Sequence, residues 1–285
     1  MATLPANRLK LRSMEPSDVA AIHAMSQAEQ WPHRKQDITA MLSLGQGLVA
    51  EIGGEIMGSA MWWIYGEKVA TLGMLMVERR FRGNGIGRLI MEAVLDQIGD
   101  RSILSIASDS GISLLRKLGF RGISEIRQHQ GTAFTAPLVP LGPGERIRPM
   151  GANDLAAATR MAEAATGLVR PSMMKALLGK GHGIVLVHED EMTGFAIFRR
   201  FGRGYVIGPV IAPDIVRAKA LISQWLGSRS GEFIRLDMFG QCGLHDWLEQ
   251  LGLIQINSFV VMVRGEEPVP SQPGQAFAIV SQALF

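Results

Sequence analysis

The chain has 285 residues, 47% of them hydrophobic and 19% charged, so it is long enough for two domains and too apolar to be largely disordered. Its 29 Lys and Arg against 26 Asp and Glu leave a net charge of +3, and no basic run is interleaved with aromatics, which argues against a nucleic-acid partner. The single cysteine, Cys242, excludes an internal disulfide, suits a reducing cytoplasm and reads as a small apolar filler. No apolar stretch approaches the ~18 residues of a membrane span, and residues 1–10 hold no apolar run before a small-residue cleavage site. A cytoplasmic protein with no membrane partner is expected.

Lys10, Leu11 and Arg12 form a short first strand, and Pro16 and Asp18 suit the first turn of a helix whose buried face is Ala20, Ala21, Ala24 and Met25. A second helix over 36–44 stops at Gly45. Strands over 47–52 and 55–64 flank a Gly53-Gly54 hairpin turn, and a third strand over 68–77 runs into Arg82-Gly83-Asn84-Gly85-Ile86-Gly87-Arg88. From there Ile86, Leu89, Ile90, Ala93, Val94 and Ile98 recur at spacings of three and four, the buried face of a helix that starts at the glycines. The unpaired N–H groups of that helix start carry the positive end of the macrodipole, and residues without a Cβ let an anion come close. The turn therefore reads as a pyrophosphate cradle with Arg82 and Arg88 as mobile flanking charges; an ordinary tight connection is the other reading. It has no Gly-Lys-Ser/Thr ending of a Walker A loop, and no Gly-x-Gly-x-x-Gly unit opens the chain. A strand over 102–107 and a helix over 111–118, closed by Gly119-Phe120, follow.

The pattern then repeats. Arg148, Met150 and Asp154 answer Arg12, Met14 and Asp18 at an offset of 136, as Gly183 answers Gly47 and Gly194 answers Gly58. Gly208 answers Gly73 at 135, and Leu251-Gly252-Leu253 answers Leu118-Gly119-Phe120 at 133. Such self-similarity indicates an internal duplication, with a first domain over 1–136, a proline- and glycine-rich linker over 137–144, a second domain over 145–264 and a tail over 265–285. The apolar residues 276–285 are expected to pack back on a domain. Setting Arg82 against Arg217 places Ala218, Ala220 and Ile222 opposite Gly83, Gly85 and Gly87, so only the first copy keeps room for a phosphate.

Arg82-Gly83-Asn84-Gly85-Ile86-Gly87 resembles the acyl-CoA motif Arg/Gln-x-x-Gly-x-Gly/Ala of the GNAT N-acetyltransferases, and the strand and helix ending in Gly119-Phe120 resemble that family's second signature. The tandem arrangement is similar to bacterial members with a functional GNAT half followed by a degenerate one. The resemblance implies a mixed α/β (α+β) fold of two tandem GNAT domains, each a central, mostly antiparallel twisted sheet flanked by helices. It implies acetyl-CoA as co-substrate, held by the strand edge Leu75, Met76 and Val77, by Arg82, Gly83, Asn84, Gly85, Ile86, Gly87 and Arg88, and by Ser110 and Leu115. Leu115 stands where many members carry a tyrosine acid, and Glu78 is the carboxylate nearest to the strand that often supplies the base.

On the acceptor side, His33 is a second candidate base, and Trp31, Trp63 and Asp237 are candidate acceptor contacts. Trp62 and Trp63 alternate on one strand, so only one of them can line a pocket. Asp237 lies in an apolar strand, either turned to solvent or held in a polar pocket where it meets a cationic amine; Asp109 and Ser110 either cap a helix or touch ligand. Arg199, Arg200 and Arg203 read as a solvated hairpin end. The reaction implied is acetyl transfer to a primary amine, of a small molecule in the first instance, with no metal and no covalent enzyme intermediate. A non-catalytic acyl-CoA sensor and a protein-lysine acetyltransferase are the alternatives, and both monomer and homodimer stay open.

Overall fold

The computed structural model describes residues 9–134, 136–272 and 275–285; of the N-terminal stretch read for a cleavage site, residues 1–8 lie outside the described residues. The first half runs β1 (Lys10–Ser13), α1 (Val19–Ala28), α2 (Lys35–Leu42), β2 (Gln46–Ile52), β3 (Glu55–Tyr65), β4 (Val69–Val77), α3 (Ile86–Ile98), β5 (Ser102–Ala107), α4 (Asp109–Lys117) and β6 (Arg121–Thr132). The second repeats that order as β7 (Glu145–Pro149), α5 (Leu155–Thr166), α6 (Pro171–Lys180), β8 (Gly181–His188), β9 (Glu191–Phe201), β10 (Gly204–Ile211), α7 (Ile215–Ser228), β11 (Phe233–Phe239), α8 (His245–Gln250) and β12 (Ile254–Arg264), and the tail adds β13 (Ala276–Ala278).

The duplication holds at the level of single bonds. Arg12 grips Asp18 through two hydrogen bonds of 2.7 and 2.9 Å, and Arg148 grips Asp154 with the same pair of distances. Each aspartate also accepts a backbone N–H three residues before it at 2.7 Å, from Glu15 in one copy and Gly151 in the other. These bonds close the turn leading into α1 and α5, and the arginine hydrogen bonds hold both carboxyls below the usual carboxylate range. Met14 and Met150 donate their N–H groups to Gly47 and Gly183 carbonyls at 2.8 Å. A Cβ on either glycine would lie within 3 Å of the methionine Cβ, so the repeated glycines make room for the methionines.

The thirteen strands of the described residues join one sheet in the order β1-β2-β3-β4-β5-β12-β6-β11-β13-β10-β9-β8-β7. The halves have therefore exchanged their last strands. β12 covers the edge of β5, from Val260↔Ala107 to Arg264↔Ile103, and β6 covers β11, from Phe233↔Thr132 to Phe239↔Ile126. Where β6 and β12 pair with each other, Ile126 faces Phe259, its counterpart 133 residues later. An approximate two-fold axis thus passes through that pair.

One face of the sheet carries α1, α2, α5 and α6, whose apolar residues merge with Trp63, Phe195, Val280 and Leu284 into a core shared by both halves. On the other face α3 and α4 close a core of the first half, and α7 and α8 one of the second. No helix among the described residues is long and apolar enough to cross a membrane.

The exchange binds the halves energetically. Val261, Met262 and Val263 of β12 are fully buried; at roughly 1.5–3 kcal/mol for each buried apolar side chain, their removal costs about as much as a domain's whole stability of ~5–15 kcal/mol. Residues 1–136 produced alone are expected to show no cooperative melt and poor chemical-shift dispersion, and to recover both when mixed with residues 137–285. A sharp melt of the isolated first half would show that β12 is dispensable to it.

Candidate active site

β4 and β5 pair in parallel only from Val69↔Ser102 to Leu72↔Ser105. Beyond that point β4 runs on to Val77 and β5 to Ala107 with no ladder between them. The parting has a local cause. Met74 takes a φ of +52°, the register of β3 against β4 slips between Ser59 and Met61, and Ser59 Oγ donates to the Met74 carbonyl at 3.1 Å. This bulge turns β4 aside and leaves the β5-facing edge of Leu75, Met76 and Val77 without a strand partner.

The glycine turn follows at once. Gly83 and Gly85 have φ of +80° and +78°, a region that costs residues with a Cβ about 1–2 kcal/mol. Space is not what selects Gly85, because nothing lies within 4 Å of where its Cβ would be. Gly85 is the N-cap of α3 and supplies no side-chain cap. The first bond of the helix runs from Leu89 N–H to the Gly85 carbonyl at 3.0 Å, so the N–H groups of Ile86, Gly87 and Arg88 have no acceptor among the described residues. Asn84 steadies the turn by donating to the Phe81 carbonyl at 3.1 Å. Arg82 is no mobile charge: its Nε donates to the Val77 carbonyl at 3.0 Å and its Nη2 pairs with Glu29. Arg88 pairs with Glu92 at 2.7 Å on the exposed face of α3.

In the second half the same two openings are closed. β10 and β11 pair in parallel only at Tyr205↔Ile234 and Val206↔Arg235, and the slot beyond is filled by β13 of the tail, with Val210↔Ala278 on one side and Met238↔Ala278 on the other. The start of α7 is capped by Asp214, whose carboxylate accepts the Arg217 N–H at 2.9 Å. The structural counterpart of Gly85 is therefore Asp214. Setting Arg82 against Arg217 is corrected here, because three residues join β10 to α7 where eight join β4 to α3, and Arg217 lies inside the helix. An acidic side chain now sits where an anion would bind.

Beside the open splay lies a cleft of about 480 Å³. Trp31, His33, Gly73, Met74, Ser108, Asp109 and Ser110 line it from the first half; Gln128 and Gln130 of β6, Arg235 of β11, Asn257 of β12 and the tail residues Ser281, Gln282 and Ala283 complete it. The tail is pinned from both halves: Tyr65 Oη donates to the Leu284 carbonyl at 2.8 Å, Arg199 Nη2 to the Val280 carbonyl at 2.7 Å, and Arg170 to the carbonyls of Leu284 and Phe285.

Of the candidate catalytic and acceptor residues singled out in the sequence, the structure brings Trp31, His33 and Asp109 to the cleft, with Ser110 beside them, and leaves Trp63, Glu78 and Asp237 away from it, as it does Leu115. Trp63 is 1% exposed in the shared core, its Nε1 donating to the Met41 carbonyl at 2.9 Å. Glu78 lies outside the cleft in an ion pair with Arg80 at 2.6 Å. Leu115 is 2% exposed in the core beneath α3 and does not line the cleft. Asp237 is fully buried; its oxygens accept Arg235 Nε and Nη2 at 2.9–3.1 Å and Gln282 Nε2 at 3.2 Å, which leaves it nothing to offer an amine. The cleft meets the guanidinium of Arg235 instead. Arg199 is half-buried with its Nε sealed from water, and Arg203 lines the cleft, so the basic hairpin end is only partly solvated.

The electrostatics of His33 follow from its position. Its Nδ1 lies 2.9 Å from Ser26 Oγ and its ring meets Trp31 and Phe201 edge to face. Burial first, and then the charge of Arg235, push the imidazole down to about 4 against the opposing pull of Asp37. Burial opposes ionisation of Glu29 as well, yet hydrogen bonds and charge from Arg82 and Arg79 hold its carboxyl below the usual range. Asp109 is the cleft carboxylate without an ion-pair partner among the described residues. Ser108 and Ser110 face each other across 3.2 Å between hydroxyl oxygens at the start of α4.

Comparison with known proteins agrees with this geometry. Residues 17–120 match the family model described as acetyltransferase (GNAT) family, and residues 158–278 match the model described as acetyltransferase (GNAT) domain. No curated protein sequence matches the chain. Among solved structures, a candidate acetyltransferase from Pyrococcus horikoshii superposes with a TM-score of 0.80 at 18% identity, over 99% of this chain and 98% of its own. A GCN5-related N-acetyltransferase from Sphaerobacter thermophilus gives 0.69 at 18% identity over 94% and 98%. A tandem GNAT protein from the clavulanic acid biosynthesis pathway gives 0.67 at 14% over 92% and 99%. At these identities the likeness is one of fold. With one GNAT match in each half, the chain belongs to the GNAT acetyltransferase family as a tandem acyltransferase.

Proposed function

We propose that the protein moves an acetyl group from acetyl-CoA to a primary amine of a small molecule by direct attack in a ternary complex. Two features found together only in the first half carry this reading: a β4 edge without a strand partner and a helix start without a cap. An extended arm can pair with Leu75, Met76 and Val77 as an added strand, and a diphosphate suits the N–H groups of Ile86, Gly87 and Arg88. The thioester supplies the activated acyl group: the amine nitrogen forms the new C–N bond as the C–S bond breaks, and the proton lost by the amine ends on the thiol.

The chain's own contribution is mostly positional, which suits a downhill aminolysis. Backbone N–H groups at the Met74 bulge stand where β4 meets the cleft and suit an oxyanion. His33, with a pKa near 4, is a weak base at neutral pH, so the amine's proton leaves through water, with Asp109 as the carboxylate at hand. The hydroxyls of Ser108 and Ser110 stand on the cleft wall beside the splay and suit the thiolate; a leaving thiol of ordinary pKa near ~8.5 needs no stronger acid. The cleft is walled by the tail, and its two carboxylates, Glu29 and Asp109, are matched by Arg203 and Arg235, so it offers a closed pocket rather than an open acidic groove, which favours a small acceptor over a protein lysine.

Calorimetric titration of acetyl-CoA into the wild type and Gly87→Asp tests the donor site. An aspartate in the first turn favours the helix and competes for the same N–H groups, so the variant is expected to keep or raise its melting temperature and to lose binding. Equal affinity in both would remove the phosphate from the start of α3. For His33, the folded pKa lies below the unfolded value near ~6.5, so between those pH values the unfolded state binds more protons. His33 therefore gives its full stability above pH ~6.5 and loses it as pH falls towards 4, by at most about 3 kcal/mol. Urea melts of the wild type and His33→Gln across pH 4–7 should show a flatter curve for the variant; parallel curves would mean that His33 titrates normally.

A further inference from the structure

Building on the acetyl-transfer reading above, we infer that the acceptor is an amine that also carries a carboxylate, an amino acid or ω-amino acid, with the carboxylate bound at Arg235 and Arg203.

The charges around Phe201, at the end of β9, do not balance. The guanidinium of Arg199 lies 4.9 Å from the Phe201 ring centroid and that of Arg235 5.6 Å; Arg34 reaches the same place, donating to the Arg200 carbonyl at 3.1 Å, and Arg203 follows two residues after Phe201. Four guanidiniums meet two carboxylates, and both carboxylates are taken. Asp37 accepts Arg34 at 2.6 Å and the Gly202 N–H at 3.0 Å. Asp237 takes Nε and Nη2 of Arg235. Arg199 has no carboxylate partner among the described residues, nor does its buried Nε have an acceptor there. Arg203 also lacks a partner there. Asp237 thus fixes Arg235 through Nε and Nη2, and Arg235 lines the cleft with its Nη1 lacking an acceptor among the described residues.

The approach to the cleft carries the same sign. An open trough of about 780 Å³ shares Gln30, Trp31, His33 and Arg203 with the cleft and adds Arg34 and Lys35, and none of its lining residues is acidic. A funnel of one sign draws in ions of the other. The neutral His33 imidazole adds no counter-charge.

A plain alkylammonium would meet only repulsion on this path. A zwitterion arrives neutral and can leave its carboxylate on the guanidiniums in a charge-assisted hydrogen bond, while the same cations lower the pKa of its ammonium group. That second effect raises the fraction of free amine in a cleft poor in bases. Asp109, the unpaired acid, follows β5, and Arg235 lies on β11 three strand positions away, about 14 Å. The cleft is acidic towards the splay and basic at its far end, which matches the dipole of an amino acid.

The test is calorimetry with the full-length chain saturated with CoA, followed by assay of acetyl transfer from acetyl-CoA. The probes are glycine, β-alanine, 4-aminobutyrate, 6-aminohexanoate and L-lysine, set against ethylamine, propylamine, cadaverine and O-phosphoethanolamine. At least one amino carboxylate should bind tenfold or more tightly than the amine lacking its carboxylate. In Arg235→Gln/Asp237→Asn, which removes both charges of the buried pair and keeps a hydrogen bond between amides, that preference should vanish with acetyl-CoA affinity unchanged. Arg203→Gln, an exposed change that leaves the core intact, should weaken the same ligand severalfold and serves if the double variant does not fold. Equal binding within every pair, no binding of any amino carboxylate, insensitivity to both variants, or a stronger response to O-phosphoethanolamine would each overturn the assignment. So would a loss of acetyl-CoA affinity alone, which would give the arginines to the phosphates of the donor. Selective binding of an amino carboxylate without turnover would uphold the anion site and overturn only acetyl transfer.

Discussion

At Ile126 and Phe259 the two copies of the repeat meet as antiparallel strands, and each of those strands gives its other edge to the opposite half. Sheet edges demand partners, since unpaired backbone groups are costly to bury. Exchange satisfies the inner edges of both halves at once and leaves only β1 and β7 at the ends of the continuous sheet. It also decides where chemistry can happen. By setting β12, β6 and β11 beside β5, the exchange brings Gln128, Asn257 and Arg235 up to the Met74 bulge. The cleft is thus a product of the duplication, with walls from both copies.

The two copies have answered one problem in opposite ways. A strand pair that splays exposes backbone groups, and something must cover them. In the second half the chain covers its own slot: β13 pairs with β10 and β11, and the carboxylate of Asp214 caps the helix start. The first half keeps both openings, with Gly85 as an N-cap that brings no side chain. The tail couples the two outcomes. Having closed one slot, it continues to the other, where a Cβ on Gly73 would lie 3.0 Å from Ala283. A segment of about ten residues therefore fills one slot and walls the cleft beside the other.

How much of this could be read from the sequence followed from how local each cause was. The glycine turn, the Arg12 and Asp18 box with its copy at Arg148 and Asp154, and the alternation of Trp62 and Trp63 depend on neighbours a few residues apart, and these patterns are visible in a string of letters. The strand exchange depends on contacts more than a hundred residues apart and leaves no such mark. Trp63 was drawn to the pocket by its strand alone; only the packing of α2, whose Met41 carbonyl takes the indole N–H, decides that its face is the core. The match of Arg82 to Arg217 failed because the turn before α7 is shorter than the turn before α3, and an offset carried across a deletion shifts every partner. The role of Arg235 has a signal in the sequence that the expectation for Asp237 alone does not use. Residues two apart on a strand share a face, so an arginine two before Asp237 was the carboxylate's first candidate partner.

That pair bears on what the cleft is for. Burying an arginine and an aspartate together costs desolvation that their attraction does not always repay, and apolar side chains of similar volume often serve a core as well or better. The strand around them, with Ile234, Leu236 and Met238 all fully buried, shows that this part of the sheet can be built from apolar residues. A purely structural pair would also be expected to satisfy the whole guanidinium from within the protein. Instead Asp237 engages Nε and Nη2, Gln282 of the tail supports the carboxylate from another side at 3.2 Å, and Nη1 of Arg235, a residue of the cleft wall, has no acceptor among the described residues. The buried charge is held in place, at a cost in stability, where a ligand can use it.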